Sequence, residues 1–137
     1  MARILGIDPG TKRCGVAVTD SGETMAFPRP ALPFSDQIVG QVRALVEEEL
    51  VAEVVVGRPL SLAGGVTAST TFADELWQSL RDALDIAVVQ CDERLTTTQA
   101  QRSLHATGAT VKGSRDRIDS ASAVVLLQHY IDTRHGR

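Results

Sequence analysis

Residues 53–57, EVVVG, are a continuous apolar run that closes on glycine. A strand with no polar face belongs in the middle of a parallel sheet, covered on both sides. Residues 86–91, IAVVQC, read as a second strand of the same kind. Two parallel strands need a crossover, and the segment between them supplies one. After a loop over 58–70 comes a helix carrying Phe72, Leu76, Leu80 and Leu84, with Thr71 and Asp74 spaced as a capping box. Upstream, residues 35–50 place Ile38, Val42, Leu45, Val46 and Leu50 on one helical stripe, with Ser35 or Asp36 as N-cap. RILGI and GVAVTD, separated by Pro9 to Arg13, predict an antiparallel strand pair, and TMAFPRP a third strand that its prolines confine to an edge. Beyond the last strand, Thr96 and Gln99 cap a helix from Thr97 to about Gly108, and residues 108–116 read as a flexible basic loop. The final helix, about 117–133, is apolar around most of its circumference and hence largely buried. The order β-β-β-α-β-α-β-α-α predicts an α/β fold, a mixed five-stranded sheet with helices on both faces.

At 137 residues, with no internal repeat or linker, residues 1–137 are expected to form one domain. A net charge of −3 excludes nucleic-acid binding by bulk charge, so a polyanion site must be a local basic patch. Cys14 and Cys91 have no ligand spacing and read as buried hydrophobes of a reduced protein. No apolar run reaches membrane-spanning length, and Arg3 and Asp8 interrupt any leader-like segment. A cytoplasmic location without membrane association is expected.

Three carboxylates stand at telling places. Asp8 ends the first strand, Glu93 follows the last, and Asp119 lies early in the apolar helix. Each has an ordinary alternative: a turn for Asp8, a surface pair with Arg94 for Glu93, a helix-dipole contact for Asp119. Two of them end strands expected to be neighbours, and the third rides a helix that can pack across that edge. Converging acids repel unless a hard divalent cation joins them. Mg²⁺ takes one or two carboxylates together with waters and phosphate oxygens, which suits phosphodiester hydrolysis. Basic residues fall in the same loops: Lys12, Arg13, Arg94, Lys112, Arg115 and Arg117. An acidic centre with a basic rim can hold both cations and a nucleic-acid backbone.

The segments GIDPGTKRCGVAVTD, VVVGRPL, DERLTT and RIDSASAVVLLQHY together resemble the YqgF (RuvX) family of bacterial RNase H-fold proteins, from about residue 4 to 131. Members are described as pre-16S rRNA nucleases and as Holliday-junction-resolvase-like proteins. The resemblance implies a ribonuclease H-like fold, a Mg²⁺ or Mn²⁺ site on Asp8, Glu93 and Asp119, and a bacterial cytoplasmic setting. Lys12, Arg94 and Thr96 match further signature positions. Asp116 departs from the pattern: it is either a fourth ligand or, preferably, the cap of the last helix.

The expected function is therefore metal-dependent nuclease action, with 5′ processing of pre-16S rRNA as the first reading. Holliday-junction resolution in recombination and repair is the alternative, and symmetric cutting of two strands would favour a homodimer. A non-catalytic nucleic-acid-binding assembly factor on the same fold is the third. An actin-like ATPase shares the strand-Asp-x-Gly-Thr pattern but needs two such domains. A zinc site is poorly served by His105, His129 and His135, and Trp77 reads as core or partner contact rather than a base-stacking platform.

Overall fold

The computed structural model describes residues 3–61, 63–93 and the helix 115–134, the last with side chains from residue 120 onward. Five strands, β1 (Arg3–Asp8), β2 (Arg13–Thr19), β3 (Ala26–Pro33), β4 (Val51–Arg58) and β5 (Ala87–Asp92), alternate with three helices, α1 (Ile38–Glu48), α2 (Ala68–Ala83) and α3 (Arg115–Arg134). The sheet order is β3-β2-β1-β4-β5. β1, β2 and β3 pair antiparallel, whereas β4 runs parallel to both β1 and β5. The mixed sheet with helices on both faces is as the sequence predicts, with β3 and its three prolines at the edge. The helix expected over 97–108 lies outside the described residues.

The two-residue period of each strand splits the core. Leu5, Ile7, Val16, Val18, Val54 and Val56 face α1 and α2, where Val42, Leu76 and Leu80 meet them. Ile4, Ala17 and Val55 face the other way and meet Ala123, Leu127 and Ile131 of α3. Gly6 lets α3 come close: a β-carbon there would stand 2.9 Å from Leu127 Cβ.

Four local expectations change. The N-cap of α2 lies four residues before the expected one, because Thr67 and Thr70 form the capping box and Asp74 is drawn to Arg58 instead. α1 has Gln37 at its N-cap position with no side-chain cap, although Ser35 Oγ accepts from the Gln37 amide at 3.2 Å. Leu50 leaves the apolar stripe: it turns the chain into β4 with φ 55° and is 77% exposed. The last helix is already formed at Arg115, so Asp116 lies inside it rather than at its cap.

One hydroxyl of α3 joins two strands at once, beside the bonds of Gln128 with the Ala26 amide and of Tyr130 with Glu53. Buried Ser120 Oγ donates to the Arg29 carbonyl at 2.7 Å and accepts from the Val16 amide at 3.1 Å. This bond fills the irregularity where β2–β3 pairing shifts between Cys14 and Val16. Ser120→Ala leaves one buried and one part-buried backbone group unpaired, so urea unfolding should show a loss of about 1–3 kcal/mol. A loss within error would mean that water replaces the hydroxyl. Among the described residues no helix is long and apolar enough to cross a membrane.

Candidate metal centre

Asp8 and Glu93 do not sit on neighbouring strands. β4 lies between β1 and β5, which corrects the adjacency expected from the sequence. At about 4.8 Å per strand the two backbones are about 10 Å apart. Register sets Ile7 beside Val56 and Gly57 beside Cys91, so β4 presents Gly57 between the two acids. The alternation that turns Ile4, Val55, Val89 and Cys91 towards α3 puts Asp8, Gly57 and Glu93 on that same face. There the Glu93 side chain crosses over Gly57 and its carboxyl hydrogen-bonds that of Asp8.

Burial is the main reason why Glu93 titrates far above the usual carboxylate range. The hydrogen bond with Asp8 and the nearby charges of Asp8 and Asp92 push the same way. Two ionised carboxylates can only accept hydrogen bonds, so this contact holds a proton. Asp8 and Glu93 would hold a divalent cation in that proton's stead, carboxylate oxygens being the donors that Mg²⁺ and Mn²⁺ prefer. The donor set thus fits such an ion. Among the described residues no group of three His, Cys, Asp or Glu side chains is placed to hold a metal. Asp8 and Glu93 supply two. Asp119 is on α3, next to Ser120 and over the same face of the sheet, with its side chain outside the described residues.

Lys12 and Arg13 are exposed where β1 turns into β2, at the end of the sheet that carries Asp8. Arg94, Thr96 and Lys112 lie outside the described residues. Arg115, Asp116 and Arg117 belong to the first turn of α3, side chains undescribed. Cys14 is buried and its thiol titrates high for that reason; Cys91 is half-buried and behaves alike. Trp77 packs against the α1–α2 core and donates from Nε1 to the Val88 carbonyl at 2.9 Å, as a core residue would. His129 lies half-buried on α3, whereas His105 and His135 are outside the described residues.

Two residues at this edge were not singled out from the sequence. Gly57 was legible as a strand end within the segment VVVGRPL, with no role attached. Arg58 extends from β4 and is held in a two-pronged pair with Asp74, at 3.0 and 3.1 Å, while Gln90 Nε2 donates to the same carboxylate at 2.6 Å. Its sequence signals were a basic residue at a strand's carboxyl end and its place in the segment VVVGRPL.

A family model described as "RuvX: Holliday junction resolvase" matches residues 2–133. The chain belongs to the RuvX family. A RuvX relative from Corynebacterium jeikeium, named "Putative pre-16S rRNA nuclease", is 39% identical over 96% of this chain and 87% of its own. Another of that name, from a Sulfurihydrogenibium species, is 34% identical over 96% and 91%. Among solved structures, Thermus thermophilus RuvC in complex with a Holliday junction substrate aligns with a TM-score of 0.59 at 17% identity, covering 99% of this chain and 97% of RuvC. The fowlpox virus resolvase, in complex with Holliday junction DNA, aligns at 0.60 and 12%, covering 96% and 98%. These likenesses fix the fold of the RuvX chain as that of the RuvC-type, RNase H-like resolvases.

Proposed function

We propose that this RuvX-family protein is a divalent-metal-dependent endonuclease of the cytoplasm that processes the 5′ end of pre-16S rRNA. The observation that carries the reading is the meeting of the Asp8 and Glu93 carboxyls across an intervening strand, at the carboxyl end of the sheet. Sites of open α/β sheets lie at that end. Packing two half-buried acids together is costly for a binding module and useful to a nuclease. Asp8, Glu93 and Asp119 would hold Mg²⁺ or Mn²⁺, which when bound lowers the pKa of an attacking water and neutralises the leaving oxygen. Lys12 and Arg13, with Arg94, Lys112, Arg115 and Arg117, would neutralise phosphates of a structured RNA.

The substrate follows the names of the curated relatives. A second reading, cleavage of branched DNA by a homodimer, is favoured by the description of the family model. The test is one cleavage panel: a 16S precursor, matched duplex DNA and a four-way junction, each with Mg²⁺, Mn²⁺ or EDTA, with oligomeric state measured alongside. We expect metal-dependent cuts in the RNA alone. Cleavage confined to junctions by a dimer would establish the second reading. Binding without cleavage of any substrate would leave an assembly factor.

A further inference from the structure

We infer that Gly57 is the positioning residue of the candidate metal centre: its missing side chain is the passage through which Glu93 reaches Asp8. The inference rests on the nuclease reading above and adds to it why that centre can exist across three strands.

A β-carbon built on Gly57 would stand 2.8 Å from Glu93 Cδ and 2.9 Å from both Cγ and Oε1. Carbon atoms in good contact are about 3.5–4.0 Å apart, so no side chain fits there while Glu93 lies where it does. The obstruction is not at the tip of Glu93 alone. It runs along the last bonds of the side chain, so relief requires the carboxyl to move away from Asp8.

Backbone conformation does not explain this glycine. Among the described residues the one glycine with positive φ is Gly64. Gly57 is regular strand, paired with Cys91, and follows Val54, Val55 and Val56 in the interior of the sheet. In such a strand a β-branched residue is favoured and glycine weakens the sheet. Gly6 is the instructive contrast. It too is tight, but against Leu127 of α3, so its role is helix packing. At Gly57 the neighbour is a candidate ligand. The residue types are matched: the strand between the acids carries the smallest residue, and the longer acid directly follows the far strand. Aspartate at 93 would be one methylene short of the crossing.

The test compares wild type, Gly57→Ala, Glu93→Ala and the double variant. Three quantities are read: Mn²⁺ affinity by calorimetry, kcat and KM on the cleaved substrate, and the melting temperature in EDTA. Gly57→Ala should weaken Mn²⁺ binding and lower kcat by about 10- to 100-fold each, as loss of a ligand's support does. KM should change by less than about threefold, because substrate binding is not what Gly57 serves. Gly57→Ala should lower the melting temperature when Glu93 is present and not when residue 93 is alanine. Wild-type Mn²⁺ affinity in Gly57→Ala, or the same melting cost in both backgrounds, would overturn the inference. If Gly57→Ala does not fold, folding of the double variant supports it and failure of both overturns it. The nuclease reading fails separately, if Glu93→Ala itself binds Mn²⁺ and cleaves as wild type does.

Discussion

Asp8→Asn should lower Mg²⁺-dependent cleavage at least about a hundredfold, the largest effect expected of any single substitution here. The change keeps the shape of the side chain and removes its charge. A metal ligand contributes several kcal/mol of transition-state stabilisation, and each 1.36 kcal/mol is about tenfold in rate. The loss should fall on kcat/KM while the fold is retained. In EDTA the variant should melt no lower than wild type, because an amide at position 8 can donate to Glu93 and so replaces the proton that the two acids otherwise share. Metal should no longer protect it. A ligand that binds only the folded state stabilises by about 2.7 kcal/mol at a hundredfold excess over Kd, and wild type but not Asp8→Asn should show that gain with Mn²⁺. Wild-type cleavage by Asp8→Asn would remove Asp8 from the site.

What the sequence made legible was local. Continuous apolar runs located β4 and β5, β-rich segments the first three strands, helical stripes α1 and α2, and an all-round apolar segment α3, while strand-end position marked Asp8 and Glu93. Lateral order was not legible, because no local pattern says which strand inserts between which. The insertion of β4 between β1 and β5 comes from tertiary packing of the crossovers that α1 and α2 supply. Gly57 was hidden for the same reason: its neighbour in space, Glu93, is 36 residues away in the chain. Asp74 shows the converse. Its spacing from Thr71 matched a capping box, but Arg58 and Gln90, brought beside it by the sheet, compete for its carboxylate and win. Leu50 shows periodicity carried one turn too far, past the end of α1 into a residue with φ 55°. The basic rim divides alike: Lys12 and Arg13 stand on described backbone near Asp8, and the others follow from sequence grouping.

The second large effect is on the pH dependence of stability without metal. In the unfolded chain Glu93 has an ordinary carboxyl pKa near about 4.3. In the fold, burial first and the bond with Asp8 second raise it well above that. Above about pH 4.3 the unfolded state therefore releases a proton that the folded state keeps. Fewer protons on the unfolded state mean that stability falls as pH rises, by up to about 1.4 kcal/mol per pH unit from this site. The fall continues until the folded-state carboxyl itself ionises. Below about pH 4 both states are protonated and the site contributes nothing to the slope. Glu93→Gln cannot titrate, and its amide can donate to Asp8. In EDTA, wild type and Glu93→Gln should therefore diverge between about pH 5 and pH 8, the variant becoming relatively more stable with every unit. Saturating Mn²⁺ should reverse the ranking at pH 8, because the ion replaces the shared proton in wild type and finds only one acid of the pair in the variant. Urea unfolding across that range, with metal and with EDTA, measures both. Parallel curves in EDTA would mean that no proton is held between Asp8 and Glu93. Divergence in EDTA without reversal by Mn²⁺ would mean that the two acids share a proton but not a metal ion.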